Sequence, residues 1–145
     1  MSLVNDRPES VDNPHVDVFV ASPVPGVLAT SAAITATGNI PLAANYTASG
    51  CKVIVDITAA SGTSPTYVGK LQFQDQASQK WIDVAGAVTA SLTGVTTVTL
   101  DVFPGAPVTA NVSANGRLPH FLRWVETIGG TTPSFTRTVG IEYYN

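Results

Sequence analysis

The chain has 145 residues, which is a usual length for one domain and leaves little room for two. Its net charge is −3, and its seven Lys and Arg residues are scattered along the chain. Binding to nucleic acid through phosphate contacts needs clustered cations, so this class of function is disfavoured. No run approaches the roughly 18 apolar residues of a membrane-spanning helix, and the N-terminus lacks the apolar segment of a signal peptide. We therefore expect no nucleic-acid or membrane partner and a protein made without an export signal.

Charged residues make up only 12% of the chain, whereas about 25% is typical of soluble domains. A surface poor in charge and rich in Thr, Ser, Ala and Gly is weakly solvated, and such surfaces are often covered by another copy or another protein. The single cysteine, Cys51, excludes an intramolecular disulfide. Its position at the start of a strand-like run predicts a small buried residue rather than a reactive thiol.

Residues 1–25 differ from the rest of the chain. They contain four prolines, which fix φ and remove backbone donors, so an extended path is favoured over a helix or a central strand. Within the sequence HVDVFV, three valines alternate with other residues, which indicates a short strand able to add to a sheet edge. We predict an extended N-terminal arm over residues 1–25, with a disordered terminus as the alternative.

From residue 26 onward, apolar residues recur with a period of two, as in half-buried strands. The segment Leu28–Gly38 is also predicted as a strand, because its Thr and Ile residues outweigh the helical preference of its alanines. Four inward-facing sets are predicted: Val53, Val55 and Ile57; Tyr67, Gly69, Leu71 and Phe73; Val98, Leu100 and Val102; and Phe135, Val139, Ile141 and Tyr143, which share their face with Arg137.

Short turn segments rich in Gly, Pro, Asn, Asp and Ser separate these runs. Several short strands spaced in this way are typical of an antiparallel β-sandwich or barrel. We predict an all-β fold over residues 26–145, an antiparallel β-sandwich that is jelly-roll-like or immunoglobulin-like and carries the N-terminal arm.

The C-terminal part of the sequence predicts a closing hairpin, in which FLRWVETI and PSFTRTVGIEY pair across the turn GGTT. The first of these two runs is apolar on both faces. One face is expected to meet the core of the domain, and the other is expected to be covered by the arm, a loop or a neighbouring subunit. The apolar residues are Phe121 and Val125 on one face, and Leu122, Trp124 and Ile128 on the other.

Few residues point to catalysis or metal binding. His15 and His120 are far apart and form no metal-binding motif, and no GxSxG nucleophile motif is present. Asp75 and Asp83 flank a predicted turn and are compatible with a glycosidase pair, but two ordinary exposed aspartates beside a hairpin would look the same. The sequence predicts a protein that is not an enzyme and has no cofactor and no metal.

A carbohydrate-binding β-sandwich module is an alternative, since such modules stack sugars on exposed aromatic rings. Trp81 is the best candidate for that platform. Its strand also contains Ile82 and Val84, which can serve the core and leave the indole ring facing outward.

The motifs VIVDIT, GTSPT, KLQFQD, WIDV, TLDVFPG, RLPHFLRW and TPSFTRTVGI follow one another between Cys51 and Tyr144. This pattern resembles the small β-sandwich capsid decoration, or cement, proteins of tailed bacteriophages, and it covers about two-thirds of the chain. The resemblance implies a structural virion protein, made in the cytoplasm of a host bacterium and located on the capsid exterior. Its expected partner is the major capsid protein. Tail or baseplate components can share the pattern and are a further alternative.

The physical reading agrees with this expectation, because a protein that straddles the joints of a shell stabilises it. A homotrimer is predicted, since lattices of hexamers present local threefold points and matched symmetry gives each subunit the same contact. The predicted contact residues are Val16, Val18, Phe19 and Val20 of the arm, together with Phe121, Arg123, Trp124 and Arg137.

Overall fold

The computed structural model describes residues 26–145, and within this range the fold is all-β with no helix, as predicted. The predicted arm lies outside the described residues, and so do its contact residues Val16, Val18, Phe19 and Val20. The described strands are β1 (Gly26–Ile34), β2 (Gly38–Pro41), β3 (Gly50–Gln74), β4 (Trp81–Val88), β5 (Thr96–Phe103), β6 (Ser113–Asn115) and β7 (Leu122–Tyr144).

Two long strands, β3 and β7, form an antiparallel ribbon that organises the rest of the sheet. They pair from Gly50 opposite Tyr144 to Phe73 opposite Leu122. Strands β1 and β2 pair with β7, whereas β4 and β5 pair with β3. Strand β6 pairs with β5 in parallel. The sheet is therefore mixed, whereas the sequence predicted a purely antiparallel one.

The ribbon bends in its middle and thereby supplies both layers of the fold. We call layer A the half formed by residues 50–57 of β3 and 135–144 of β7, together with β1, β5 and β6. Layer B contains residues 66–74 of β3 and 122–129 of β7, together with β2 and β4. The two layers pack face to face: the ring of Tyr67 in layer B lies 5.8 Å, centroid to centroid, from that of Phe135 in layer A.

The bend occurs where the two strands each carry the motif Gly-Thr-Ser/Thr-Pro. Gly62 and Gly130 have φ angles of 110° and 108°, which side chains rarely tolerate. A Cβ on Gly62 would lie 2.7 Å from the Thr132 carbonyl oxygen, and one on Gly130 would lie 2.6 Å from that of Ser64. Each glycine therefore lets its strand pass directly against the backbone of the other copy of the motif.

The predicted closing hairpin is wrong. Both of its halves belong to the single strand β7, and both pair with β3 rather than with each other. The GGTT segment bends the strand without reversing its direction, since the ladder to β3 resumes on either side of it. The two halves therefore face each other across the core instead of lying edge to edge.

The period of two in the sequence locates the core correctly. The four predicted inward-facing sets line the interface between the layers, although Val98, Phe73 and Tyr143 are only half-buried. Ile82 is an exception, with 44% of its surface exposed, because this part of β4 lies at the margin of layer B; Val84 and Ala87 of the same strand pack against the core. The largest fully buried side chains are Trp124, Tyr67, Phe135, Ile57, Leu71, Leu100 and Leu122.

We predict that Gly130→Ala destabilises the protein by about 1–3 kcal/mol, because the new methyl group meets the Ser64 carbonyl at a strained φ. Gly94→Ala is the matched control, since a Cβ at this position meets nothing within 4 Å. Its expected effect is within about 0.5 kcal/mol. Urea unfolding measures the stability of both variants. Equal unfolding midpoints would show that the close approach of the two glycine motifs does not constrain the fold.

Candidate functional site

Two of the predicted contact residues, Trp124 and Arg137, lie in the core and not at the surface. Trp124 is 0% exposed and Arg137 is 6% exposed. Both side chains are on the inward face of β7, one in each layer. The prediction that they contact a partner is therefore corrected: their contacts are within the chain.

A buried polar network joins these two residues and connects the layers. The Arg137 guanidinium donates from Nε to Glu126 Oε2 (2.6 Å) and from Nη2 to Glu126 Oε1 (2.5 Å). The Tyr67 hydroxyl donates to the same Oε2 (2.7 Å), and Trp124 Nε1 donates to the Tyr67 oxygen (3.3 Å). The buried carboxylate is thus satisfied by three donors, which is the condition for keeping a charge away from water.

The ionisation states in this network are held by burial and by the ion pair. Burial raises the pKa of Tyr67, and the charge of Glu126 raises it further. The hydrogen bond to Glu126 raises the pKa of Arg137. A neutral tyrosine and a charged arginine therefore persist over the whole physiological pH range. The network closes on itself and acts as a structural link between layers A and B.

We predict that Glu126→Leu destabilises the fold by about 3–5 kcal/mol, because it leaves the Arg137 charge buried without its partner. The double variant Glu126→Leu/Arg137→Met removes both charges and is expected to recover most of this loss. Chemical denaturation of the two variants measures the difference. If the single variant is as stable as the wild type, the ion pair does not hold the layers together.

A second cluster lies on the outer face of layer B, where the register of three strands brings distant residues together. Gln72 of β3 pairs with Arg123 of β7 on one side and with Asp83 of β4 on the other. In the next row, Gln74 pairs with Trp81. Directly paired residues project from the same face of a sheet, so these side chains share one surface.

The side chains of this surface are linked by hydrogen bonds and by a stack. The Arg123 guanidinium carbon lies 4.3 Å from the Trp81 ring centroid, and Arg123 Nε donates to Gln72 Oε1 (2.9 Å). Gln72 Nε2 donates to Asp83 Oδ1 (2.7 Å), and Lys70 Nζ donates to Asp83 Oδ2 (3.1 Å). We call Lys70, Gln72, Trp81, Asp83 and Arg123 the outer-face cluster. The hydrogen bonds that Asp83 accepts, the one from Gln72 having the largest effect, lower the pKa of Asp83 and keep its carboxylate ionised.

A groove of about 510 Å³ adjoins the cluster on the same face. Lys70 and Asp83 line one end of it, and the remaining lining is mainly apolar, from Val68, Thr127 and residues 84–88 of β4. Strand β4 is irregular here, with a register shift and a φ of 78° at Gly86. This volume and this mixture of apolar walls with a few polar groups are typical of small-molecule sites.

Phe121, another predicted contact residue, belongs to a small aromatic group beside the cluster. Its backbone carbonyl accepts a hydrogen bond from Gln74 N (3.0 Å), which places it next to the row that contains Trp81. Its ring lies 6.3 Å from that of Tyr46 and 6.4 Å from that of His120. Tyr46 is 57% exposed, so this aromatic group reaches the surface.

The loop that carries Tyr46 is fixed by its buried neighbour. The Asn45 side chain accepts from Ala48 N (2.9 Å) and donates to the Ala48 carbonyl (2.9 Å), which closes the loop on itself. Sequence reasoning missed Tyr46 and His120 as neighbours of Phe121, because loop residues have no periodicity that predicts their contacts.

The residues considered for catalysis are dispersed. Asp75 accepts from the Ser78 hydroxyl (2.6 Å) and from backbone amides of its own turn, and these bonds lower its pKa. Asp83 has a separate set of partners in the outer-face cluster. Among residues 26–145, no three His, Cys, Asp or Glu side chains are grouped as a metal site would require. The same part of the chain contains no helix long and apolar enough to cross a membrane.

Comparison of the chain with protein-family models, with curated proteins and with solved structures gave no match.

Cys51 is fully buried in layer A, and its pKa is raised to about 12 by burial and, secondarily, by the charge of Asp101. We predict that a disulfide reagent such as DTNB labels Cys51 only after unfolding, because the reactive thiolate is absent at neutral pH. Labelling rates with and without urea provide the measurement. Rapid labelling of the folded protein would show that layer A opens at this position.

Proposed function

We propose that this protein is a structural component of a bacteriophage virion that binds the outer surface of the capsid and stabilises the head lattice. The assignment to a virion rests on the resemblance of the strand and turn pattern between Cys51 and Tyr144 to capsid decoration proteins. The observation that carries the binding mode is the position of the exposed valines, which lie at opposite edges of layer A.

Most of the large apolar side chains exposed among residues 26–145 belong to this layer. Val27 is 68% exposed on β1, which forms one edge of layer A. Val95, Val108 and Val112 are 69%, 78% and 49% exposed and flank β5 and β6 at the other edge. Apolar surface at two opposite edges suits a rigid domain that lies between two capsid subunits and contacts each of them with a different edge.

Such a domain stabilises a shell by simple linkage. Its binding free energy is available only while the joint between capsid subunits is closed, so opening of the joint costs that free energy. Many weak contacts act together when the bound protein is itself an oligomer. Contacts between unlike edges close into a ring when the rotation between neighbouring copies is a whole fraction of a turn, and a rotation of one third gives a homotrimer that matches the local threefold points of the lattice.

The edge valines also suit the predicted role of the arm. Strand β1 begins at Gly26, so residues 1–25 join the described chain at the same edge as Val27. The chain that leads to the arm thus leaves layer A at the edge of Val27, which is opposite to the edge of Val95, Val108 and Val112. Arg123 lies in layer B and Phe121 directly precedes this part of β7, and we assign the shell contact to the edges of layer A instead.

We predict that Val108→Asp/Val112→Asp lowers binding to capsids stripped of this protein at least tenfold, because charges replace apolar contacts. Ile82→Asp is the matched control, since Ile82 is an exposed apolar residue of layer B, and it is expected to bind like the wild type. Co-sedimentation with purified heads measures both, and light scattering reports the oligomer. Wild-type binding by the double variant, or recovery of the polypeptide only in tail fractions of purified virions, would overturn the proposal.

A further inference from the structure

We propose that the outer-face cluster and the adjoining groove of layer B form a carbohydrate-binding site. This activity goes beyond the proposed structural role and does not depend on it. Three features carry the inference: an aromatic ring beside a polar cluster, donors and acceptors fixed on one face, and a concave surface of ligand size next to them.

The polar groups match what sugar hydroxyls require, because each hydroxyl both donates and accepts hydrogen bonds. The side chain of Asp83 is 57% exposed, and its partners within the cluster are two: Gln72 Nε2 at Oδ1, and Lys70 Nζ, which lies 3.0 Å from Oδ1 and 3.1 Å from Oδ2. A carboxylate has roughly four acceptor sites, so capacity for hydroxyl donors remains. Arg123 uses Nε for Gln72, and its terminal nitrogens make no hydrogen bond to any residue in 26–145, which leaves donors for hydroxyl oxygens.

The cluster is held in place before a ligand arrives. Trp81 and the Arg123 guanidinium stack at 4.3 Å, and Gln72 connects the guanidinium to Asp83. Donors and acceptors fixed in this way lose little conformational entropy on binding. Trp81 adds an apolar ring for the C–H face of a pyranose, while hydroxyls at the rim of the same sugar reach Asp83 and Arg123.

The surface is long enough for more than one sugar unit. Phe121, directly before β7, and Trp81 of β4 flank Gln74 of β3 on its two sides, which corresponds to two strand spacings, about 10 Å. In the other direction along the sheet, the groove extends from Lys70 and Asp83 toward Val68 and Thr127. A polysaccharide chain is therefore a better fit than a free monosaccharide.

The position of the site allows it to work while the protein is attached to a larger assembly. It lies on the outer face of layer B, whereas the exposed valine edges and the start of β1 belong to layer A. Trp and Arg are also common in protein interfaces. The linked amide, carboxylate and ammonium groups beside the indole favour a sugar over an apolar protein surface.

The test uses the full chain and a printed array of bacterial surface polysaccharides, with titration of the best binder at high salt to remove non-specific ionic contacts. We expect wild-type binding, at least tenfold weaker binding by Trp81→Ala and by Arg123→Ala, and partial retention by Trp81→Phe. Arg117→Ala is the matched control, because it removes an exposed arginine outside the cluster and is expected to bind like the wild type.

Urea unfolding of each variant shows whether the fold is intact. Trp81→Phe keeps the test interpretable if Trp81→Ala is unstable. Absence of binding to every polysaccharide overturns the proposal, as does equal binding by folded Trp81→Ala. Loss of capsid binding by Trp81→Ala with unchanged polysaccharide binding also overturns it and would identify this face as a protein contact. Failure here leaves the valine-edge experiment unaffected, so the two proposals are separable.

Discussion

The ion pair between Glu126 and Arg137 is the interaction on which the two-layer arrangement depends. Both residues belong to β7, and the bend between them brings them together across the core. Removing two charges from water costs several kcal/mol per ion, and here the cost is offset by a bidentate geometry and a third donor, Tyr67. Any other angle between the layers leaves these charges unpaired in an apolar interior. The network therefore selects one packing of the layers among those that hydrophobic burial alone would permit.

The continuous ribbon gives the two faces of the molecule different surroundings while keeping them mechanically connected. Because β3 and β7 run through both layers, a force on layer A is transmitted to layer B along backbone hydrogen bonds and not only through side-chain packing. The edges of layer A present valines, and the outer face of layer B presents a linked polar cluster. Different surfaces of one unit, the edges of layer A and the outer face of layer B, are thus suited to contacts of different chemistry.

Residues Val53 to Ile57 and Phe135 to Ile141 show how far the sequence predicts the fold, since their alternation identified strands and buried faces correctly. The pairing of both halves of β7 with β3 was not predictable from the sequence. The segment GGTT has the composition of a turn, and only tertiary contacts make it a bend within β7. Arg137 was recognised on an apolar face, yet its partner Glu126 was missed, although it alternates with Trp124 in the same way. The outer-face cluster depends on the register of three strands, which no local pattern encodes.

The scarcity of charge is consistent with a protein that works by contact. Several of its few cations are already engaged: Arg137 with Glu126, Lys70 with Asp83, and Lys52 with Asp101 at 3.9 Å. Free surface charges must be desolvated or matched when a partner covers them, and this cost reduces affinity. A surface of threonine, serine, alanine and valine avoids most of that cost, so the weak contacts of the proposed lattice binding would add up instead of being cancelled. The same low charge content means that the proposed site for polar ligands draws on one cluster, in which Lys70, Asp83 and Arg123 are held by hydrogen bonds to their neighbours.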